Sequence, residues 1–256
     1  MKRKHLSLAI GCVLLSSMPM AWAQDSTGAS QPPATSATTL DSVKVTARKR
    51  EETLQDVPVA VTAFTAETLD QMGIDDIGEL DAQVPNLTIY AARGSTSTVT
   101  AYIRGVGQSD PLWGVDPGVG IYMDDVYIAR PQGGLLDVFD VDRIEVLRGP
   151  QGTLYGKNTI GGAIKYISRG LPQETTGFAS VTVGNYNQLD VKAALGGEIG
   201  GKDSGLRGRV SVASMNRDGF GENTYTDQEV SDKEINAIRA QLGAYSEDDF
   251  DIQFAF

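Results

Sequence analysis

The hydrophobic pattern divides the chain near residue 171. Before that point the apolar positions change rhythm every few residues. The run 57–61 reads as a strand, and Thr65 is placed to cap a helical stretch that carries Glu67 in its first turn and stops at Gly73. A second short helix is expected from Ile77 to Leu80, with its exit at Pro85 and Asn86. Strands are expected at 100–104, 119–123, 126–129, 143–147 and 163–167, with a hairpin turn at 123–126. Beyond 171 the pattern becomes plain alternation at 178–184, 189–195, 210–213, 238–244 and 250–256. One face of each run is apolar (Leu189, Val191, Ala193 and Leu195, or Phe250, Ile252, Phe254 and Phe256) and the other is polar. A membrane barrel strand alternates in this way, and so does a soluble sheet with one wet face.

The N-terminus sets the compartment. Lys2, Arg3 and Lys4 precede an apolar run from Leu6 to Met20, and Ala21-Trp22-Ala23 supplies small residues for cleavage. This is the form of a secretory signal peptide, 1–23, because the apolar run is too short to anchor in a membrane. The whole chain carries 22 basic and 33 acidic side chains; without Lys2, Arg3 and Lys4 the balance is 19 against 33. So acidic a chain is a poor partner for nucleic acid. The only Cys (Cys12) and the only His (His5) lie in the signal peptide, leaving no thiol or imidazole for nucleophilic catalysis, a disulfide or a His/Cys metal site. No catalytic residue, metal site or cofactor is expected. Asp110, Asp116, Asp124 and Asp125 lack the ligand spacing of a calcium loop and read as turn acids. The stretch 24–39, QDSTGASQPPATSATT, cannot bury a core and reads as a flexible leader.

Three further stretches carry a resemblance. They are LDSVKVTARKREE at 40–52, QDVPVAVTAF with YIRGVG later in the domain, and RIEVLRGPQGTLYGKNTIGGAI at 143–164. Together they resemble the TonB-dependent outer-membrane receptors, in which a plug domain seals a large β-barrel. The resemblance implies an α+β plug domain at 51–171, followed at 172–256 by the start of an antiparallel transmembrane β-barrel. Five alternating runs are too few to close a barrel, since at least eight strands are needed, so the expectation is a truncated receptor. Lys165 and Tyr166 depart from the GGAIN ending common in the family.

The resemblance also assigns roles. Leu40, Asp41, Ser42, Val43, Lys44, Val45, Thr46 and Ala47 correspond to the TonB box, within a segment 40–50, and would present a strand to periplasmic TonB. Alternation alone favours reading that segment as the first strand of the domain, and the resemblance reverses that preference. Arg104 and Arg148 match plug arginines that pair with barrel acids, with Glu145 as a third member of this latch; pairing inside the domain is the alternative. Arg93, Gln108 and Trp113 are candidates for ligand contact. The implied function is active uptake of a scarce nutrient, a ferric siderophore by default. Cobalamin, haem or oligosaccharide import, or ligand-sensing signalling, are the alternatives. Implied partners are TonB, energised by the inner-membrane ExbB–ExbD motor, and outer-membrane lipid.

Overall fold

The computed structural model describes residues 43–92, 95, 97–109, 114–134, 136–201, 204–245 and 252–255. The chain opens with a two-residue hairpin of β1 (Lys44–Val45) and β2 (Glu52–Thr53). Then come β3 (Val61–Thr65), α1 (Ala66–Met72) and a 3-10 turn (Ile77–Ala82). Next are β4 (Leu87–Ala91), β5 (Val99–Ile103), β6 (Val106–Gly107), β7 (Val119–Met123) and β8 (Val126–Tyr127). The domain ends with β9 (Val141–Arg148), α2 (Gly152–Tyr155) and β10 (Gly162–Ser168).

Its central sheet has the order β3-β9-β10-β7-β8, with β7 and β10 parallel and the other pairs antiparallel. Alternation along β9 and β10 serves two different layers. Ile144, Val146, Ile164 and Tyr166 face a core that includes Leu69, Ile77, Leu80 and Ile103. Leu147 and Ala163 face the other way, onto Val45, Ala47, Val57, Tyr122 and Tyr155. α1 begins as its sequence demands. The Thr65 side chain accepts the Thr68 N–H, Glu67 sits in the first turn, and Gly73 closes the helix at φ 67°.

One expected strand is displaced. The run 57–61 is not a strand; pairing starts at Val61 and continues to Thr65. Pro58 has no N–H to give to a ladder, so the segment before it cannot extend β3. Glycine is required where β10 begins. A Cβ on Gly162 would overlap the Leu147 carbonyl oxygen, and one on Gly161 would lie 2.8 Å from the Val106 carbonyl oxygen.

The second half forms one antiparallel meander, β11 (Thr176–Val183), β12 (Leu189–Glu198), β13 (Leu206–Arg217), β16 (Lys233–Ala244) and β17 (Ile252–Ala255). A small hairpin, β14 (Gly221–Asn223) with β15 (Gln228–Val230), projects from the connection between β13 and β16. Each of the five expected runs overlaps one of these strands, β12, β13 and β16 extending beyond the pattern, while residues 250, 251 and 256 lie outside the described residues. The faces are inverted relative to a soluble protein. Val181, Leu195, Val210, Ile238 and Phe254 point outward and are exposed, Ile238 by 72%. Asp190, Arg209, Ser211, Arg239 and Gln241 point inward and are buried against the α+β domain. An apolar exterior around a polar interior is the pattern of a membrane barrel wall. The five strands form an open sheet.

Candidate functional site: a docked strand and a charged seat

Two places on the α+β domain are built from buried charge. The first lies on the face of β9 and β10 that looks away from the main core. Glu145 and Lys165 are direct cross-strand partners there, and both are buried. They receive the N-terminal segment 43–47. One Glu145 oxygen accepts the Thr46 backbone N–H at 2.7 Å and the Arg143 Nε–H at 2.8 Å. Lys165 Nζ donates to the Thr46 carbonyl at 3.0 Å and to its hydroxyl at 2.8 Å. The Tyr155 hydroxyl donates to the Ala47 carbonyl at 2.8 Å. Val45 and Ala47 fill the apolar layer beneath, 0% and 1% exposed. Burying the Val45 side chain alone contributes roughly 1.5–3 kcal/mol.

Burial pulls the Lys165 ammonium below its ordinary range, and Glu145 and Asp125 offset only part of this. Burial also pushes the Tyr155 phenol well up, so it remains a donor. Segment 43–47 is therefore a strand whose edge is already taken. Val45 pairs with Glu52, and the Val43 carbonyl accepts the Leu54 N–H at 2.9 Å.

The second place is the strip 137–140, which lies along the inner face of the strand wall. Arg209 makes a two-pronged pair with Asp140, and Ser211 donates to the same carboxylate. Arg239 stacks 4.7 Å from the Phe139 ring centre and lies 5.7 Å from that of Tyr166. Lys233 pairs with Asp137 at 3.1 Å, and Lys192 reaches the Val138 carbonyl at 3.1 Å and Asp75 at 3.3 Å. Burial pushes the Asp140 carboxyl up, but the Arg209 and Ser211 hydrogen bonds more than offset this and hold it below its ordinary value. Asp140 adopts φ 49°, a left-handed conformation that Asp tolerates better than most residues.

The expected site residues fall as follows. Glu145 faces the docked segment and pairs with Arg143 and Lys165 inside the domain. The alternative of intradomain pairing thus holds for Glu145; the wall is not its partner among the described residues. Arg104 sits in the β5–β6 turn at φ 54°, exposed, with its guanidinium against Gly149, the residue after Arg148. Neither Arg104 nor Arg148 forms an ion pair among the described residues. Gln108 lines a small apolar hollow with Val99, Ala101, Val119, Ile121 and Ile128. Leu40, Asp41, Ser42, Arg93 and Trp113 lie outside the described residues. Of the turn acids, Asp124 and Asp125 both have positive φ, and Asp124 accepts from the Ser168 N–H and hydroxyl at 2.7 Å each.

Sequence reasoning missed Lys165 as a hydrogen-bond partner of segment 43–47 and the whole strip 137–140. Lys165 carried a signal, a lysine in an otherwise apolar strand. The strip did not, because its partners on the wall are more than 50 residues away.

Comparison with known proteins matches this geometry. Residues 53–163 match the TonB-dependent Receptor Plug Domain. The matched region is a TonB-dependent receptor plug domain, and it is followed by antiparallel strands resembling the start of that family's barrel. Within that class the chain is 29% identical to the pesticin receptor of Yersinia pestis over 188 residues, 72% of this chain and 26% of the relative. It is 25% identical to the vitamin B12 transporter BtuB of Photobacterium profundum over 181 residues, 70% of this chain and 28% of the relative. The structure resembles the ferric yersiniabactin uptake receptor FyuA of Yersinia pestis with a TM-score of 0.70 and 27% identity, covering 77% of this chain and 30% of that one. The chain thus spans about a quarter of the length of the curated relatives it matches.

Proposed function

We propose that the receptor to which this chain belongs actively imports a scarce nutrient across the outer membrane, with a ferric siderophore as cargo. The observation that carries the reading is the docked segment 43–47. It is a strand held on the plug by a few hydrogen bonds to Glu145, Lys165 and Tyr155, and so can be exchanged for another strand's edge. In this reading Leu40–Ala47 lies on the periplasmic side and becomes the site of TonB, which the ExbB–ExbD motor energises. Cargo bound at outward-facing plug loops carrying Arg93, Gln108 and Trp113 releases the segment, and the pull moves the plug. Arg104 and Arg148 latch the plug to barrel acids beyond the strands described here. Ferric yersiniabactin uptake by FyuA supports the iron reading. The similarity to a vitamin B12 transporter supports cobalamin as the second cargo.

The test is Val45→Pro in the full-length receptor, expressed as the only receptor of this kind in iron-starved cells. Proline removes the N–H that a partner strand would need at that position. Uptake of iron-loaded yersiniabactin should be lost while surface binding persists; undiminished uptake refutes the box assignment. Uptake of cyanocobalamin in place of the iron chelate would move the cargo to the second reading.

A further inference from the structure

The chain as a whole is strongly acidic, yet the inner face of its wall is not. Alternation and register place eight charged residues on that face of β12, β13 and β16. Six are basic (Lys192, Arg207, Arg209, Arg217, Lys233 and Arg239) and two are acidic (Asp190 and Glu198). The outward face of the same strands carries one charge, Glu234. The plug presents the opposite sign. Asp75, Asp137 and Asp140 pair with Lys192, Lys233 and Arg209.

Seating the plug does not account for all six cations. Arg217 lies directly opposite Lys233 in the β13–β16 register, a like-charge cross-strand pair that is unfavourable in itself. Among the described residues only Lys233 of the two has a plug acid; the Arg217 guanidinium donates to the Ser231 carbonyl at 3.1 Å and lies over the Phe220 ring. Arg207 stacks on Tyr245 and lies directly opposite Glu198 in the β12–β13 register. Arg217 therefore keeps positive charge directed at the lumen. Arg217 and Lys233 border one gap between plug and wall together with the plug acids Asp75, Asp76, Glu79 and Asp137 and the wall acids Asp232 and Glu234. The carboxylates there stand where a mobile anion would stand.

We infer that this inner face is a cationic passage surface, and that the cargo moving along it is anionic. The plug acids at 75, 137 and 140 occupy the surface in the closed state. Displacing them uncovers a ladder of Lys192, Arg209, Arg217, Lys233 and Arg239 along the wall. Clustered charge of one sign in a narrow passage concentrates counter-ions and raises their flux. The inference rests on the reading of this chain as part of an importer, and it narrows the substrate class: a net-negative chelate or other small polyanion fits, whereas a neutral one gains nothing from the ladder.

The experiment is conductance of the full-length receptor in a planar bilayer, with the plug displaced in place by urea under a KCl gradient. The wild-type channel should favour chloride over potassium. A triple variant, Lys192→Gln, Arg217→Gln and Lys233→Gln, leaves the buried Asp140–Arg209 pair intact. It should lower the chloride-to-potassium permeability ratio by about twofold or more. If the triple variant does not insert, Arg217→Gln alone should shift the ratio in the same direction, since Arg217 pairs with no acid that its loss would strand. Potassium selectivity of the wild type, or an unchanged ratio in the variants, would overturn the inference. A receptor that never conducts at any urea concentration would instead remove the plugged-barrel reading beneath it.

Discussion

Glu145→Gln separates the docking of segment 43–47 from the stability of the plug. The substitution keeps the volume of a fully buried side chain and leaves an amide oxygen where the carboxylate accepted the Thr46 N–H. What it removes is the charge shared by Arg143 at 2.8 Å and Lys165 at 3.9 Å. A hydrogen bond to a charged group contributes roughly 1.5–3 kcal/mol and a neutral one roughly 0.5–1.5. The docked state should therefore lose about 1–1.5 kcal/mol, which is about a tenfold rise in the undocked population. The reporter is Ala47→Cys, because Ala47 is 1% exposed while docked. Maleimide labelling of the purified full-length receptor should run about tenfold faster with Glu145→Gln added. A second reporter, Ile164→Cys, lies in the main core and should stay unlabelled in both. Equal labelling rates at Ala47→Cys with and without the substitution would refute the account of Glu145 as the catch. Labelling at Ile164→Cys would show that the plug itself had loosened.

Two perturbations address the seat and the fold. Asp140→Asn leaves Arg209 buried without its counter-charge and should destabilise the seated plug by about 3–5 kcal/mol, read as earlier release to protease in a urea titration. The same carboxylate predicts the pH dependence. Its seated value is held below the ordinary 3.8, so its stabilisation is complete above that value and is lost as pH falls through the seated value. Plug release should thus be flat from neutral pH to about pH 5 and accelerate only below about pH 4, a step that Asp140→Asn abolishes. In β10, Gly162→Ala drives a methyl into the Leu147 carbonyl and should cost upwards of about 2 kcal/mol, measured by thermal melting, whereas Gly152→Ala meets open space and should be near neutral.

Local chemistry made much of the fold legible. Thr65, Glu67 and Gly73 delimit α1 because capping acts within one turn, and all five wall runs were visible because alternation needs only neighbouring residues. The displaced strand at 57–61 shows the limit: apolar alternation suggested pairing, but Pro58 lacks the donor that the ladder needs. The site was less legible. Segment 43–47 could be read as a first domain strand or as a strand offered to a partner, and the structure holds features of both. It pairs with β2 and buries Val45, yet it rests on side-chain hydrogen bonds and lies outside the central sheet. Glu145 was singled out as a charge that faces the wall; periodicity assigns it a side of β9 but does not say what covers that side. The strip 137–140 carries no local pattern, because its partners arrive from β12, β13 and β16.

Both sites share a physical design that suits the moving seal of the proposed function. A plug held to its wall by apolar area would lose that whole contribution on displacement and would expose greasy surface to a wet lumen. Charged contacts behave differently. Removing Asp140 and Arg209 from water to form their pair costs several kcal/mol per ion, so the net gain of seating is small even though the pair is specific. When the plug shifts and water enters, each ion recovers its hydration, and the cost of separation falls accordingly. The segment 43–47 follows the same logic on a smaller scale. Val45 and Ala47 supply a modest apolar contribution, and Glu145, Lys165 and Tyr155 supply hydrogen bonds that water or a partner strand can replace. The main plug core around Leu69, Ile77, Ile103 and Ile144 contains no such replaceable contacts, so it should outlast both sites under load. Yielding is thereby confined to the two charged surfaces, the docked strand and the seat on the wall.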